Sequence, residues 1–349
     1  MNKIFSLSLI LLFLAACQQD DTPQLTIIQG ETMGTYYRVT YLGVPNESLQ
    51  ASIDSLLVVL NDEVSTYIPT SLISRFSHGD LMAIDTETFQ TSTHFKANYL
   101  RSLEIAEATA HYFNPTVMPL VNYWGFGYTP KRAVTDVDSV AIDSLMQFVG
   151  MEKVEYYPDI IAPSAVQIMK RQQGTQLDFS AIAKGYGVDL IAAFLEGQGI
   201  ANYLVDIGGE SVARGDKGGA DKPWVLAINT PRADAAITDY EVAVALRDAA
   251  LATSGNYRNF HEVEGGKYGH TINPFTGYPE LSRLLSASIL APDCTTADAY
   301  ATASMVAGLE AAYTMVDTTA NLEGLFIFGT EDGTLQMKMT PGFEQHILD

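Results

Sequence analysis

Apolar and polar residues first form a strand pattern near the start of the chain. Residues 25–28 and 35–41 are rich in β-branched and aromatic side chains, and Gly30 and Gly34 lie between the two runs. Such side chains favour extended backbone, and glycines between two short runs favour a turn. The pattern therefore predicts that the domain opens with a β-hairpin.

Further along, apolar residues recur every three or four positions in three segments, which predicts helices that each bury one face. These helices are residues 46–60, with Asn46 as the N-cap, residues 92–110 and residues 181–195, which Gly197 and Gly199 follow. After them, β-branched and aromatic runs predict strands at 203–207, 224–228, 242–246, 285–290, 325–328 and 334–337, with helices at 296–306 and 310–316. The fold class expected is α/β with a mixed, α+β-like sheet in a single domain, with a bilobed arrangement left open.

The composition narrows the classes of function. The chain has 349 residues, with 20 Lys and Arg against 41 Asp and Glu, so its net charge is −21. A nucleic-acid-binding protein needs basic patches that replace phosphate counterions, so this class is excluded. Cys17 and Cys294 are the two cysteines, which excludes a disulfide framework and a cysteine-based zinc site.

The first residues have the character of an export signal. Lys3 precedes an apolar stretch that is too short to span a bilayer. Residues 14–17, Leu-Ala-Ala-Cys, resemble the bacterial lipobox, whose cysteine becomes the acylated first residue of the mature protein. This predicts a lipoprotein signal peptide at 1–16, a lipidated tether at 17–24 and a folded domain at 25–349. The protein is then expected on a membrane surface outside the cytoplasm, on the periplasmic side. Ordinary signal cleavage beside a chance cysteine is the alternative.

Familiar nucleotide and hydrolase motifs are absent from the sequence. It contains neither a Walker loop nor a G-x-G-x-x-G fingerprint, so any nucleotide must be held in another way. Residues 261–265, HEVEG, lack the second histidine of a zincin, and residues 209–213, GESVA, only approach a nucleophile elbow.

Five segments concentrate glycine, proline and polar residues beside aromatic residues, and together they suggest one site. They are residues 31–35 (ETMGT), 67–75 (YIPTSLISR), 112–127 (YFNPTVMPLVNYWGFG), 177–187 (LDFSAIAKGYG), and the pair 270–277 (HTINPFTG) and 296–302 (TADAYAT). The prolines of residues 112–127 predict that this segment forms no regular element and lines a pocket for a flat ligand. A loop rich in core aromatics explains it equally well.

Several residues in these segments suit a phosphate-bearing ligand and a cation. Met33 can lie against a planar ring, and Lys184 near a helix start can hold phosphate beside an acceptor, Asp178. Asp298 and Thr302 stand four residues apart on a predicted helix, so a carboxylate and a hydroxyl share one face and can bind Mg²⁺. His270, beside a Pro-Phe-Thr-Gly turn, is the histidine best placed to accept a proton. Core packing, helix capping and surface exposure are the alternative explanations.

In this order, the segments resemble the ApbE family, the FAD:protein FMN transferases, from Gly30 to about Phe328. The family pattern includes T-M-G-T, D-x-G-x-I-A-K-G-Y, A-T-S-G-x-Y, H-I-x-D-P-x-T-G and A-D-x-x-A-T. The resemblance implies a flavin transferase domain that uses Mg²⁺ to transfer FMN from FAD, its substrate, to a threonine or serine hydroxyl of an acceptor flavoprotein, with release of AMP. The acceptor implied is a subunit of an extracytoplasmic or membrane electron-transfer complex that carries a D-G-x-[ST]-[GS]-[AT]-like site.

Carried over residue by residue, the resemblance also assigns roles. It implies His270 as the base, with Asp298 as the second catalytic residue, and a metal site formed by Asp298, Thr302 and the Ala181 carbonyl. The residues implied to contact FAD are Met33, Tyr67, Tyr112, Phe113, Asn114, Asp178, Lys184 and Ile272. The sequence departs from the family pattern at Asn114, where aspartate is usual, at Ser180 and Ala181, which replace two glycines, and at Phe275, where a basic residue is common.

Two other functions use the same residues. A Mg²⁺-dependent FAD pyrophosphatase would give FMN and AMP with water as the acceptor. A lipid-anchored protein that binds FAD without chemistry would need neither the metal ligands nor the base.

Overall fold

A computed structural model describes residues 24–79, 81–129, 137–218, 222–232, 234, 239–256, 260–263 and 266–348. The predicted signal peptide, Cys17 and the other tether residues before Gln24 lie outside these ranges. The strands of the described residues are β1 (Gln24–Thr32), β2 (Thr35–Gly43), β3 (Ala83–Asp85), β4 (Val154–Tyr156), β5 (Val166–Lys170), β6 (Tyr203–Ile207), β7 (Glu210–Arg214), β8 (Trp224–Asn229), β9 (Tyr240–Leu246), β10 (Ala249–Gly255), β11 (Phe260–Val263), β12 (Gly266–Gly269), β13 (Leu284–Ala291), β14 (Glu323–Gly329), β15 (Leu335–Met339) and β16 (Ile347–Leu348).

The α-helices within the same ranges are α1 (Glu47–Val64), α2 (Leu72–Ser77), α3 (Thr86–Thr91), α4 (Thr93–Ala108), α5 (Met118–Tyr123), α6 (Ser139–Met146), α7 (Ala183–Gly197), α8 (Cys294–Ala307), α9 (Leu309–Asp317) and α10 (Pro341–Glu344). A short 3₁₀ turn covers Met151–Lys153. No helix in the described part of the chain is both long enough and apolar enough to cross a bilayer.

The central element is an antiparallel sheet of eight strands in the order β1-β2-β6-β7-β10-β13-β14-β15. Neighbours in sequence form hairpins at β1-β2, β6-β7 and β14-β15. The long segment between β2 and β6 contains helices α1 to α7 and the small sheet β3-β5-β4. The chain thus leaves the sheet, builds a helical layer and returns to pair beside β2.

The middle of the sheet is buried on both faces. Val205 and Ala252 face the main core, to which α1, α4, α7 and α8 contribute. Leu251 and Leu290 face a second apolar layer, which the three-stranded sheet β16-β9-β8 covers. Since the main core contains residues from Ile28 to Phe326, the described residues form one domain.

Many of the elements predicted from periodicity are confirmed. The opening hairpin forms as β1 and β2, and the Asn46 side chain caps α1 by accepting from the Ser48 amide at 3.0 Å. The strand predicted at 203–207 is β6 with the same bounds. The mixed α/β class is confirmed, with all strand pairs of the large sheet antiparallel.

Other expectations about local structure were wrong. Residues 118–123 form α5 although they include a proline, because Pro119 lies in the first turn, where no backbone N–H is needed. The third predicted helix begins at Ala183 rather than at residue 181, so Lys184 belongs to its first turn. Strands β7 and β10 were not predicted, since their small and polar residues hide the apolar pattern.

Helices α7 and α8 are in close contact at Gly185. A Cβ atom added to Gly185 would lie 2.2 Å from the Cys294 carbonyl oxygen and 2.9 Å from the Asp298 Cβ. Backbone atoms cannot move aside as the end of a flexible side chain can, so this position requires glycine. The contact sets how near the start of α7 comes to Asp298.

We therefore expect Gly185→Ala to destabilise the protein by about 1–3 kcal/mol, because the methyl group would force α7 and α8 apart. Gly197→Ala in the same helix is the matched control, since no atom lies within 4 Å of the added Cβ. The control should leave the free energy of unfolding unchanged or raise it by up to about 1 kcal/mol. Denaturant unfolding of both variants tests this, and equal stabilities would contradict the proposed contact.

Candidate active site

Hydrogen bonds hold three of the five motif segments together. They join residues 112–127 and the end of α2, which follows residues 67–75, to residues 177–187. The Ser77 hydroxyl, at the end of α2, accepts from the Leu177 amide at 2.9 Å and donates to the Leu177 carbonyl at 3.1 Å. The Asp178 amide donates to the Pro115 carbonyl at 2.7 Å. The residues before α7 are therefore fixed between α2 and the Asn114-Pro115 turn.

The third segment also contacts the first half of the fifth. The indole N–H of Trp124 donates to the Gly277 carbonyl at 2.9 Å. The rings of Tyr112 and Phe275 meet edge to face, with centroids 5.5 Å apart. These contacts place the loop after His270 beside the aromatic segment.

The first segment forms the turn between β1 and β2. Thr32 pairs with Thr35, so Met33 and Gly34 are the two central residues, and both have positive φ, 51° and 73°. This geometry matches the twist of a hairpin, but Met33 is an uncommon residue for it. The Met33 Cε lies 3.4 Å from the place of a Cβ on Gly187, so its side chain extends to α7.

Two buried carboxyl groups and a partly exposed lysine form an ionic cluster where α7 meets α8. Lys184 Nζ forms an ion pair with Glu210 Oε1 and lies 4.0 Å from Asp298 Oδ1. The Gly185 amide donates to Asp298 Oδ2 at 3.0 Å. Only 3% of Glu210 and 2% of Asp298 are exposed to solvent. These polar contacts thus join α7, α8 and the first residue of β7.

Burial controls the ionisation of this cluster. It raises the pKa of Asp298, since the charged form loses water, and it raises the pKa of Glu210 to about 7 although Lys184 opposes the rise. Burial alone would lower the pKa of Lys184, but Asp298 and Glu210 outweigh it, and the pKa lies above its ordinary value. One ammonium group faces two buried carboxyl groups, an environment that favours a further cation.

Two carboxylates hold the N-terminus of α8. Asp189 accepts from the Cys294 amide at 2.9 Å and from the Thr295 amide at 2.8 Å, and Asp293 accepts from the Thr296 amide at 2.7 Å. Negative charge is favourable at this end of a helix. Asp189 lies one turn after Gly185 on α7, so it ties the two helices together along the face on which they touch.

Of the three predicted metal ligands, Asp298 and Thr302 lie on α8, and Ala181 precedes α7. Thr302 is one turn beyond Asp298 on α8, and its hydroxyl is 3.2 Å from Ser254 Oγ. In a regular helix the Gly185 amide would donate to the Ala181 carbonyl, but it donates to Asp298 instead. The Ala181 carbonyl is thereby released from that bond.

These donors fit a small divalent cation. The described residues contain no group of three or more His, Cys, Asp or Glu side chains that could hold a metal, so mixed donors would be needed. The Asp298 carboxylate, the Thr302 hydroxyl and the Ala181 carbonyl are all hard oxygen ligands. In addition, the buried Oε2 of Glu210 has no hydrogen-bond partner among the described residues.

The residues predicted to contact FAD differ in how much surface they offer. Tyr67 is 65% exposed, and its pKa is raised by partial burial and by the negative charge of nearby Asp178. Asp178 accepts from the Ser180 amide at 2.8 Å, and burial raises its pKa. The Tyr112 side chain is partly exposed, although its ring also contacts the ring of Phe275. Of these three side chains, Tyr67 and Asp178 are close enough to interact electrostatically, and Tyr112 lies beside Phe275.

Two other predicted FAD contacts are buried. Phe113 is 2% exposed and belongs to the main core, and Ile272 is 5% exposed and packs with Leu120 and Trp124. Because both side chains are buried, they offer a ligand little surface. Their contacts with FAD stay predictions.

His270 lies directly after β12. Its ring is edge-on to Phe126, with centroids 6.2 Å apart. The next residue, Thr271, donates to Asn256 Oδ1 at 2.7 Å and accepts from the Glu280 amide at 2.9 Å. The histidine is thus held by an ordered loop against the aromatic segment, and its role as a base stays a prediction.

The sequence pattern of the ApbE family matches residues 33–326. The chain belongs to the ApbE family. It is 34% identical to an FAD:protein FMN transferase of Vibrio cholerae over 93% of this chain and 92% of that protein, and 30% identical to one of Escherichia coli K12 over 97% and 95%.

Solved structures agree with this ApbE assignment. The flavin transferase ApbE from Vibrio cholerae superposes with a TM-score of 0.79 at 32% identity, covering 93% of this chain and 99% of that chain. The apo flavinyl transferase ApbE of Pseudomonas stutzeri gives 0.78 at 27% identity, covering 93% and 97%. The shared fold therefore extends over nearly the whole chain.

The structure explains two of the departures from the ApbE pattern. Asn114 orders its turn as an aspartate would, because Oδ1 accepts from the Thr116 amide at 3.0 Å and the Thr116 hydroxyl at 2.6 Å. Neither Ser180 nor Ala181 has a positive φ, so that turn does not require glycine. Phe275, 54% exposed, gives the loop an apolar surface where the ApbE pattern has a charge.

Sequence reasoning missed Glu210 and Asp189 as parts of the site. The sequence contains a feature that could have identified each of them. Glu210 is a charged residue at the start of a short strand, after Gly208 and Gly209, in a position that the sheet buries. Asp189 interrupts the apolar face of α7 four residues after Gly185.

Proposed function

We propose that this protein transfers FMN from FAD to a threonine or serine hydroxyl of an acceptor flavoprotein. The acceptor oxygen forms a bond to the phosphorus on the FMN side of the pyrophosphate, and the bond between that phosphorus and the bridging oxygen breaks. The hydroxyl proton passes to a base and AMP leaves with the bridging oxygen. The observation that carries the proposal is the cluster of Lys184 with the buried carboxyl groups of Glu210 and Asp298, where the start of α7 meets α8.

Asp298, Thr302 and the Ala181 carbonyl would hold Mg²⁺ in this proposal. The ion would neutralise charge on the pyrophosphate, which a protein of net charge −21 must otherwise repel. Lys184 supplies a fixed positive charge on the first turn of α7, where backbone amides also favour phosphate. Gly185 and Asp189 keep these groups in register by holding α7 against α8.

The remaining residues bind and orient the substrates. Met33, Tyr67 and Tyr112 offer surfaces for the flat rings, with Phe113, Asn114 and Ile272 behind them, and Asp178 can accept from or donate to a polar group of FAD. His270 is the proposed base for the acceptor hydroxyl, since its loop lies beside the aromatic wall. Catalysis would then depend mainly on positioning and charge neutralisation.

The direct test incubates the protein with FAD, Mg²⁺ and an acceptor domain, and follows both AMP release and the intact mass of the acceptor. We expect the acceptor to gain the mass of FMN with one AMP released per transfer. Asp298→Asn and His270→Gln should each lower the rate by roughly 100-fold or more, in line with the loss of a charge-stabilising or proton-accepting group. Asp332→Asn, in an exposed turn, is the control and should retain the parent rate.

Other outcomes would replace the proposal. AMP release with all FMN left free, whatever acceptor is present, would indicate an FAD pyrophosphatase. FAD recovered unchanged would indicate a binding protein. None of these outcomes bears on whether Cys17 is lipidated, which needs a test of its own.

We propose, in addition, that Cys17 is lipidated and anchors the enzyme to a membrane outside the cytoplasm, near an acceptor subunit of a membrane electron-transfer complex. The support is the Leu-Ala-Ala-Cys sequence that ends the apolar stretch. In a bacterial host, the parent should partition with membranes and carry acyl mass on residue 17, and Cys17→Ser should remain unacylated. An unacylated parent that is cut elsewhere would contradict the anchor.

A further inference from the structure

Lys184 lies between two buried carboxyl groups but contacts them unequally. Its ammonium is paired with Glu210 Oε1, whereas Asp298 Oδ1 lies 4.0 Å away. Both carboxyl groups are almost completely buried and so have few polar partners besides this ammonium, whereas 30% of the Lys184 side chain is exposed. The position of this one ammonium therefore depends on the balance between Glu210 and Asp298.

The two oxygen atoms of Asp298 have different surroundings. Oδ2 accepts the hydrogen bond of the Gly185 amide. Oδ1 is the oxygen that faces Lys184, at a distance beyond a hydrogen bond. An ammonium that moved into hydrogen-bond contact with Oδ1 would occupy its lone pairs and repel a cation. A cation at this carboxylate thus requires that Lys184 stay on its other partner.

The fold keeps Glu210 in place to be that partner. Glu210 is the first residue of β7, pairs with Ile207 across the tight Gly208-Gly209 turn and is 3% exposed. Lys184 donates to its Oε1, while Oε2 has no hydrogen-bond partner within the described ranges. The proposed catalytic scheme gives this buried carboxyl group no role beyond its ion pair with Lys184.

We propose that Glu210 is a positioning residue: it holds the Lys184 ammonium away from Asp298 Oδ1 and so leaves that oxygen for the divalent cation. This inference rests on the proposed function, because it assumes the cation site at Asp298 and Thr302. It assigns to Glu210 control of cation binding through Lys184. It also explains why an acidic residue is buried at the start of a strand.

The proposal predicts a competition that can be removed. In Glu210→Gln, Asp298 is the remaining anion of the cluster, so Lys184 should move to it and oppose the cation. We expect the affinity for Mn²⁺, used as a probe for Mg²⁺, to fall by about 10- to 100-fold. Removing the competitor as well, in Glu210→Gln/Lys184→Met, should restore the affinity to within about threefold of the parent. A purely structural role of Glu210 would not give this recovery.

The measurement is a titration of the full chain with Mn²⁺ in the absence of FAD, with free Mn²⁺ followed by electron paramagnetic resonance. Asp206→Asn is the matched control. Asp206 lies in the same hairpin and accepts from the Ser211 hydroxyl at 2.7 Å, so the variant removes a nearby carboxylate that interacts with Lys184 only at a distance and forms no ion pair with it. Its Mn²⁺ affinity should stay within about threefold of the parent.

The outcomes separate this inference from the function on which it rests. A parent protein that binds no Mn²⁺ would overturn the proposed cation site and this inference with it. A parent that binds, with Glu210→Gln binding equally well, would overturn this inference alone. Equal weakening in the single and double variants would indicate that Glu210 is itself a ligand or has a purely structural role, and either result would overturn the inference. If Glu210→Gln does not fold, Lys184→Met alone should bind Mn²⁺ at least as tightly as the parent, and weaker binding would contradict the competition.

Discussion

The approach of α7 to α8 at Gly185 is the constraint on which the site depends. It leaves no room for a side chain against the Cys294 carbonyl, and it puts the Gly185 amide within hydrogen-bond distance of Asp298. One turn later, Asp189 fastens the same pair of helices. Charge neutralisation requires donor groups at fixed distances from one another. These three contacts fix the distances because they join two helices rather than loops.

The buried cluster follows from that geometry. Bringing the starts of α7 and α8 together removes water from the Asp298 and Glu210 carboxyl groups and leaves Lys184 only partly exposed, so the pKa of each group depends on the other two. The positive charge of a single lysine cannot balance the negative charges of two carboxylates, so a further cation between them is favoured. The acidic composition of the chain is consistent with a site that recruits a divalent metal to approach a pyrophosphate.

Much of the architecture could be predicted because local patterns agreed with the final fold. Residues 203–207 contain apolar and β-branched side chains in a run, and they form a strand with those bounds. Asn46 and the apolar stripe behind it specify α1 in the same direct way. The motif segments also came together, since Pro115 meets Asp178 and Gly185 meets Asp298. Periodicity could not predict features that depend on a proline's place within a helix or on long-range contacts. Pro119 is tolerated because it lies in the first turn of a helix. Glu210 becomes a site residue only because β7 lies beside α7.

The most direct measurement of the central claim is a crystal structure of the full chain with FAD and Mn²⁺, recorded at a wavelength where manganese scatters anomalously. The account predicts one strong anomalous peak between Asp298 Oδ1, Thr302 and the Ala181 carbonyl, with Lys184 still on Glu210 and the pyrophosphate against the ion. A site without that peak, with Lys184 bonded to Asp298 in its place, would contradict it.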